Sequence, residues 1–245
     1  MDILLMIATA LAPVLFMTAY IYRNDLKKEP KIQIVIAIMY GMASVMFTLM
    51  MVAPFKGADV DLNTNSSIID CLYSSFFFAA IPEEIAKFAC FYLLVRHNPY
   101  FDEYYDGIFY AAIVSLGFAG VENIVYLANN INNWVAVGIS RAVLSVPLHF
   151  MCGIAMGYYY SLYHFGLSRK KKTFMMCLAA PILIHGIFDF IVFLTQAKPY
   201  LAIFTFIILC LFLKNVRKRA TAKIQTLKDM DRETETETGQ DVQEY

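Results

Sequence analysis

Acids and imidazoles stand within the apolar stretches of this chain at spacings that let them act together. One stretch carries Ile81-Pro82-Glu83-Glu84-Ile85-Ala86-Lys87, a second carries Glu122 and Asn123, a third Arg141 and His149, and a fourth His185 and Asp189. On helices, Glu83 and Lys87 are four apart, Glu84 and Lys87 three apart, and His185 and Asp189 four apart, so each set shares one face. An ionisable group at the centre of a membrane helix costs roughly 2.5–3.5 kcal/mol on insertion scales, so this many at one depth need a reason. Carboxylates and imidazoles can take up and deliver protons and polarise a bound group, which is general acid–base chemistry. They also line proton paths, and a Glu–Lys pair can serve as a neutral structural clasp. Two glutamates against one lysine leave a charge over.

The elements that hold these groups follow from composition. Of the residues, 59% are hydrophobic and 16% charged, with a mean hydropathy of +0.56, which excludes an ordinary soluble domain and gives no basis for a nucleic-acid partner. Apolar runs occupy roughly 3–22, 32–54, 67–95, 106–128, 134–165, 173–196 and 199–213. Runs of this length, without the alternation of a β-barrel, predict an all-α polytopic bundle of about seven transmembrane spans. The overlong fifth run is expected to tilt, or to continue past the membrane with Tyr158–Tyr163 at the interface. Helix rise places Glu83, Glu122, His149 and His185 each some 18–24 Å from one end of their runs, near mid-membrane. Alternating helices would thus gather them in one layer around a wet cavity. Pro82 and Pro181 remove helix hydrogen bonds beside these groups and are expected to open the helices there.

Lysine and arginine follow alternate spans: Arg23, Lys27, Lys28 and Lys31, then Arg96, then Arg169 to Lys172, then Lys214 and Arg217 to Arg219. The other loops carry only Lys56 and Lys198, which predicts an external N-terminus and a cytosolic C-terminus. The first run lacks a basic leader and reads as an anchor. The expected domains are a membrane unit over 1–213 and a basic, then acidic, disordered tail over 214–245, whose Glu-Thr repeats are too polar for a core. The loop from Lys56 to Ser66 reads as a solvated connector. The five cysteines lack metal-type pairing and read as small hydrophobes. Arg141, nearer a span end, is as consistent with snorkelling as with a site role; His97 and His164 read as interfacial bystanders. Gly153 and Gly157, in register with His149, read as a close helix-packing face.

At these residues the chain resembles the PrsW family of intramembrane proteases, relatives of type II CAAX prenyl endopeptidases and of the APH subunit of gamma-secretase. The likeness runs from Tyr20 to Asp25 and Glu29-Pro30, through Glu83-Glu84-Ile-Ala-Lys87 and Asp106-Gly107, to Gly117-Phe118-Ala-Gly-Val-Glu122-Asn123 with Tyr126. It continues through His149 to Gly153 and ends at His185-Gly186-Ile-Phe-Asp189. The resemblance implies a peptidase of a bacterial cell membrane acting on membrane proteins with a single span, such as anti-sigma factors. It implies that Glu83 and Glu84 are the catalytic pair, that His185 and Asp189 form the closing motif, and that His149 belongs to the motif before it. Where CAAX relatives carry Phe-x-x-x-His, this chain has Phe118-Ala-Gly-Val-Glu122, so a prenylated substrate is not implied. The APH relatives lack the glutamate pair.

Two mechanisms remain open on the residues. In one, zinc is held by Glu122, His149 and His185 while Glu83 takes the water proton. In the other, no metal is present, a glutamate activates water and the histidines donate to the oxyanion. No His-Glu-x-x-His segment is present. The candidate catalytic set is Glu83, Glu84, Lys87, Glu122, His149, His185 and Asp189. A non-catalytic assembly subunit and a proton or ion transporter are the alternatives, the latter weakened by the lack of an evident inverted repeat.

Overall fold

A computed structural model describes residues 3–55, 57, 62–168 and 170–241. Lys56 and Arg169, used in the charge argument, lie outside these residues, as does much of the Lys56–Ser66 connector. The described chain is helical, without strands: α1 (Ile3–Asn24), α2 (Lys31–Val52), α3 (Ile68–Tyr73), a π-helical segment (Ser74–Ala80), α4 (Ile81–Val95), α5 (Tyr104–Asn129), α6 (Trp134–Val143), α7 (Ser145–His164), α8 (Lys171–Ala197) and α9 (Ala202–Asp241). Six stretches are long and apolar enough to cross a membrane, among them Ile3–Asn24, Tyr104–Asn129 and Lys171–Ala197. The remaining apolar run is also helical over 68–95, but changes hydrogen-bond register within it. The outcome is a polytopic helical bundle.

α5 is its axis. Every residue from Tyr105 to Gly120 is buried, and α5 packs against α1, α2, α4, α6, α7 and α9. Lipid offers no hydrophobic drive between helices, so small residues that let backbones approach carry the packing. A Cβ on Gly157 of α7 would run into the carbonyl of Gly107 on α5, and one on Gly117 of α5 would meet the carbonyl of Ile38 on α2. The packing role expected for Gly157 is what the structure shows. Gly157→Ala is therefore expected to lower stability by about 1–3 kcal/mol through overpacking. Thermal unfolding in detergent checks this; an unchanged midpoint would mean that the crossing yields freely.

Three expectations are revised. The fifth run is two helices, α6 and α7, rather than one continuous rod. It breaks at Leu144, where the backbone leaves regular helix, and Tyr158–Tyr163 stays within α7. Tyr160 is buried there, edge-on to Phe91 and Phe101. His164 is not without partners: its ring stacks on Tyr160 and meets Phe101 edge-on. The third departure is the tail, read as disordered over 214–245 but helical through Asp241. Val216, Ala220, Ile224 and Leu227 recur on one face and are buried against the main core. So thin a stripe in polar sequence leaves the composition looking solvated. Farther along, Asp231 accepts hydrogen bonds from the amides of Tyr104 and Tyr105 at 2.7 and 2.9 Å, satisfying open donors at the start of α5.

Candidate active site

The catalytic candidates come from four elements, and each is held by a local feature of the sequence. Glu83 and Glu84 occupy the first turn of α4. The segment before them is π-helical, with the Ile81 amide bonded to the Phe76 carbonyl. Proline lacks an N–H and its ring clashes with the preceding turn, so the wider turn just ahead of Pro82 accommodates it. The opening expected at Pro82 thus takes the form of a register change. The same segment aims Phe76 at α8, where its ring fills the place a Cβ would take on Gly186, the residue after His185. Gly186 therefore lets α8 close onto the start of α4.

Lys87 is fully buried at the centre. Its Nζ donates to Glu84 Oε1 at 2.8 Å and Glu83 Oε2 at 3.2 Å, lies 3.0 Å from His149 Nδ1, and sits 4.0 Å from the centre of the Phe118 ring. An ammonium donates only, so His149 accepts at Nδ1 and carries its proton at Nε2, 2.8 Å from Glu122 Oε2. Glu122 Oε2 also accepts from Arg141 Nη2 at 2.7 Å, and Arg141 Nε donates to Asn123 Oδ1 at 2.7 Å. Asn123 in turn donates to the Ala10 carbonyl of α1 at 3.0 Å. Arg141 therefore points inward, with its guanidinium 4.0 Å over the Tyr126 ring, and does not snorkel.

On the other side, His185 Nδ1 lies 2.8 Å from Glu84 Oε1, and its Nε2 lies 3.3 Å from Asp189 Oδ2 and 3.8 Å from Glu83 Oε2. The two imidazoles meet edge-to-face with centroids 5.0 Å apart. All seven sequence candidates thus lie in one connected network. Donor atoms of Glu83, Glu84, His149 and His185 fall within 4.8 Å of one another, a spacing able to hold a metal ion. Glu122, placed among the metal ligands on sequence grounds, is outside that compact group and bonds to the far nitrogen of His149.

The electrostatics restrict what the cluster can be. Four carboxylates, those of Glu83, Glu84, Glu122 and Asp189, face two fixed cations, Lys87 and Arg141. In an apolar layer the surplus must be met by protons or by a bound cation. Glu84 Oε2 is buried with no hydrogen-bond partner. That orphan oxygen beside two imidazoles fits a divalent metal of the zinc type. The side chains of Glu83, Glu122 and Asp189 keep 12%, 19% and 16% of their surface exposed while Glu84 and Lys87 keep none, so the cluster is reached from the Glu83 side.

A second acidic group near the start of α5 could not be read as such in the sequence. Glu29 accepts from the Tyr110 hydroxyl at 2.8 Å, and burial pushes its carboxyl up to about 7. Asp25, buried beside it, is pushed up to about 6 for the same reason. Both belong to segments of the family resemblance, but nothing in their spacing distinguishes them from loop acids.

Fold and cluster together define a polytopic helical membrane protein with an acid–imidazole centre. The chain belongs to the PrsW family: residues 29–213 match the model described as PrsW family intramembrane metalloprotease. Among curated relatives it is similar to Protease PrsW of Oceanobacillus iheyensis, 33% identical over 185 residues that cover 76% of this chain and 81% of that one. It is also similar to Protease PrsW of Clostridioides difficile, 31% identical over 204 residues covering 82% and 84%. Protease PrsW of Bacillus subtilis is 31% identical over 186 residues covering 76% and 81%. No solved structure matches the chain.

Proposed function

We propose that this chain is an intramembrane endopeptidase that hydrolyses peptide bonds of single-span membrane proteins at the Glu83–Glu84–His149–His185 cluster. The observation that carries this reading is the convergence of those four groups, from three helices, within 4.8 Å. A clasp needs one pair; a hydrolytic site needs a base, a polarising group and a proton donor together.

Glu83, the more exposed of the pair, takes the proton of the attacking water and passes it to the leaving amine. Glu84 is fixed by Lys87 and His185 and holds His185 in place. Glu122, pinned by Arg141, fixes the ring and tautomer of His149, as carboxylates commonly do for ligating histidines. Asp189, 3.3 Å from Nε2 of His185, orients that ring from within α8. Glu84, His149 and His185 are the residues that would hold a zinc ion, and the family description favours one. When bound, such an ion polarises the carbonyl and lowers the pKa of water. One observation favours a metal-free version: Lys87 Nζ already meets Glu83, Glu84 and His149, so an ammonium supplies positive charge at that point. There His149 and His185 act on the developing oxyanion.

The loop charges orient the chain with its N-terminus outside and α9 ending in the cytosol of a bacterial cell. A reporter fused after Arg219 is expected to register as cytosolic and one in the 56–66 loop as external; the reverse signals would overturn this orientation. The activity is tested by co-reconstituting the chain with a panel of single-span substrates, anti-sigma factors included, with and without a strong chelator. Cleavage by wild type is expected. An intact panel in both conditions would return the chain to the class of assembly subunits.

A further inference from the structure

Between α7, α8 and α9 lies a cleft of about 380 Å³, separate from the acid–imidazole cluster. Its walls are apolar for most of their length, with Met151, Ala155, Leu183, Ile187 and Phe212 among the lining residues. Leu183 and Ile187 are exposed, so the cleft opens towards lipid. At the end where α9 leaves its apolar run, the lining changes to Asn215, Arg219 and Lys223.

These cations are placed as a pair. Four residues apart on α9, they stack on one face, where like charges oppose each other. Among the described residues no carboxylate comes within ion-pair distance of either. Lys223 Nζ lies instead over the rings of Tyr158 and Tyr159, 3.6 and 4.1 Å from their centres. Such a contact holds an ammonium without neutralising it. Arg219 and Lys223 lie about 9 and 15 Å along α9 beyond Leu213, and helical side chains lean back towards the N-terminus, so both heads reach towards the headgroup layer.

We propose that this cleft binds an anionic phospholipid of the surrounding bilayer. One acyl chain lies along Leu183, Ile187, Met151 and Phe212. The phosphate sits between Arg219 and Lys223, where Asn215 can donate. Basic pockets between membrane helices suit anionic headgroups, and this one has the apolar extension that a free phosphate would not need. Seated there, the lipid joins α9 to the face of α8 that includes Ile184, beside His185. The cations lie beyond residue 213, where the match to the family model ends.

The full chain, purified in a neutral detergent, is titrated with phosphatidylglycerol or phosphatidylcholine; retained lipid is counted by native mass spectrometry and the unfolding midpoint recorded. One phosphatidylglycerol per chain is expected to be retained and to raise the midpoint, with phosphatidylcholine at least about tenfold weaker. Arg219→Ala with Lys223→Ala should weaken phosphatidylglycerol at least about tenfold. Arg219→Lys with Lys223→Arg should keep it, and so should Lys214→Ala with Lys218→Ala, which removes the same charge outside the cleft. Leu183→Trp, with both cations in place, should also weaken it. Equal retention of the two lipids, or equal losses from the two alanine pairs, would reduce the effect to surface charge and overturn the site. Unchanged phosphatidylglycerol binding in Leu183→Trp alongside slower cleavage of a single-span reporter would assign the cleft to substrate instead.

Discussion

Glu83→Gln is expected to lower the cleavage rate at least about a hundredfold while the chain still inserts and folds. The fold survives because Lys87 keeps Glu84 at 2.8 Å and so retains a buried counter-charge. Glu84→Gln should be equally inactive but less stable. It takes the closest carboxylate from a fully buried ammonium, a change that typically costs about 3–5 kcal/mol. Activity in both variants and unfolding midpoints for both separate the two roles. Wild-type rates in each would leave the pair a structural clasp.

The second large effect concerns the imidazoles. His185→Ala and His149→Ala are each expected to abolish cleavage, since each ring bridges carboxylates or cations from different helices. If zinc occupies the cluster, elemental analysis of pure protein should find about one ion per active chain and a loss of that ion in both variants. Asp189→Asn should do less, about 10–100-fold, because it acts through His185 at 3.3 Å. Full activity of a metal-free preparation in strong chelator would remove the zinc version and leave the one in which Lys87 carries the positive charge. Full activity of His185→Ala would remove both.

Much of the bundle was legible because lipid imposes long apolar runs and makes each mid-membrane charge costly, so that Glu83, Glu122, His149 and His185 stood out by depth alone. What depth could not supply was direction. Arg141 could equally have snorkelled because its partners, Glu122 and Asn123, lie 19 and 18 residues away on another helix. Glu122 looked like a ligand for the same reason; only coordinates show it on the far nitrogen of His149. Nor does an apolar run reveal its hydrogen-bond register, so the π-helical turn before Pro82 and the break at Leu144 were hidden. The docked part of α9 was hidden by its chemistry. Four small or medium apolar residues at helical spacing, and a cap by Asp231 on amides 126 and 127 residues away, leave almost no mark on local composition.

The central claim is that the acid–imidazole cluster hydrolyses peptide bonds within the membrane. It is tested most directly by the masses of products released from single-span reporters in oxygen-18 water, by proteoliposomes of wild type and of Glu83→Gln. The predicted result is two fragments meeting at a bond in or beside the span, with oxygen-18 in the new carboxyl group, from wild type alone. The same fragments in equal yield from Glu83→Gln would contradict it.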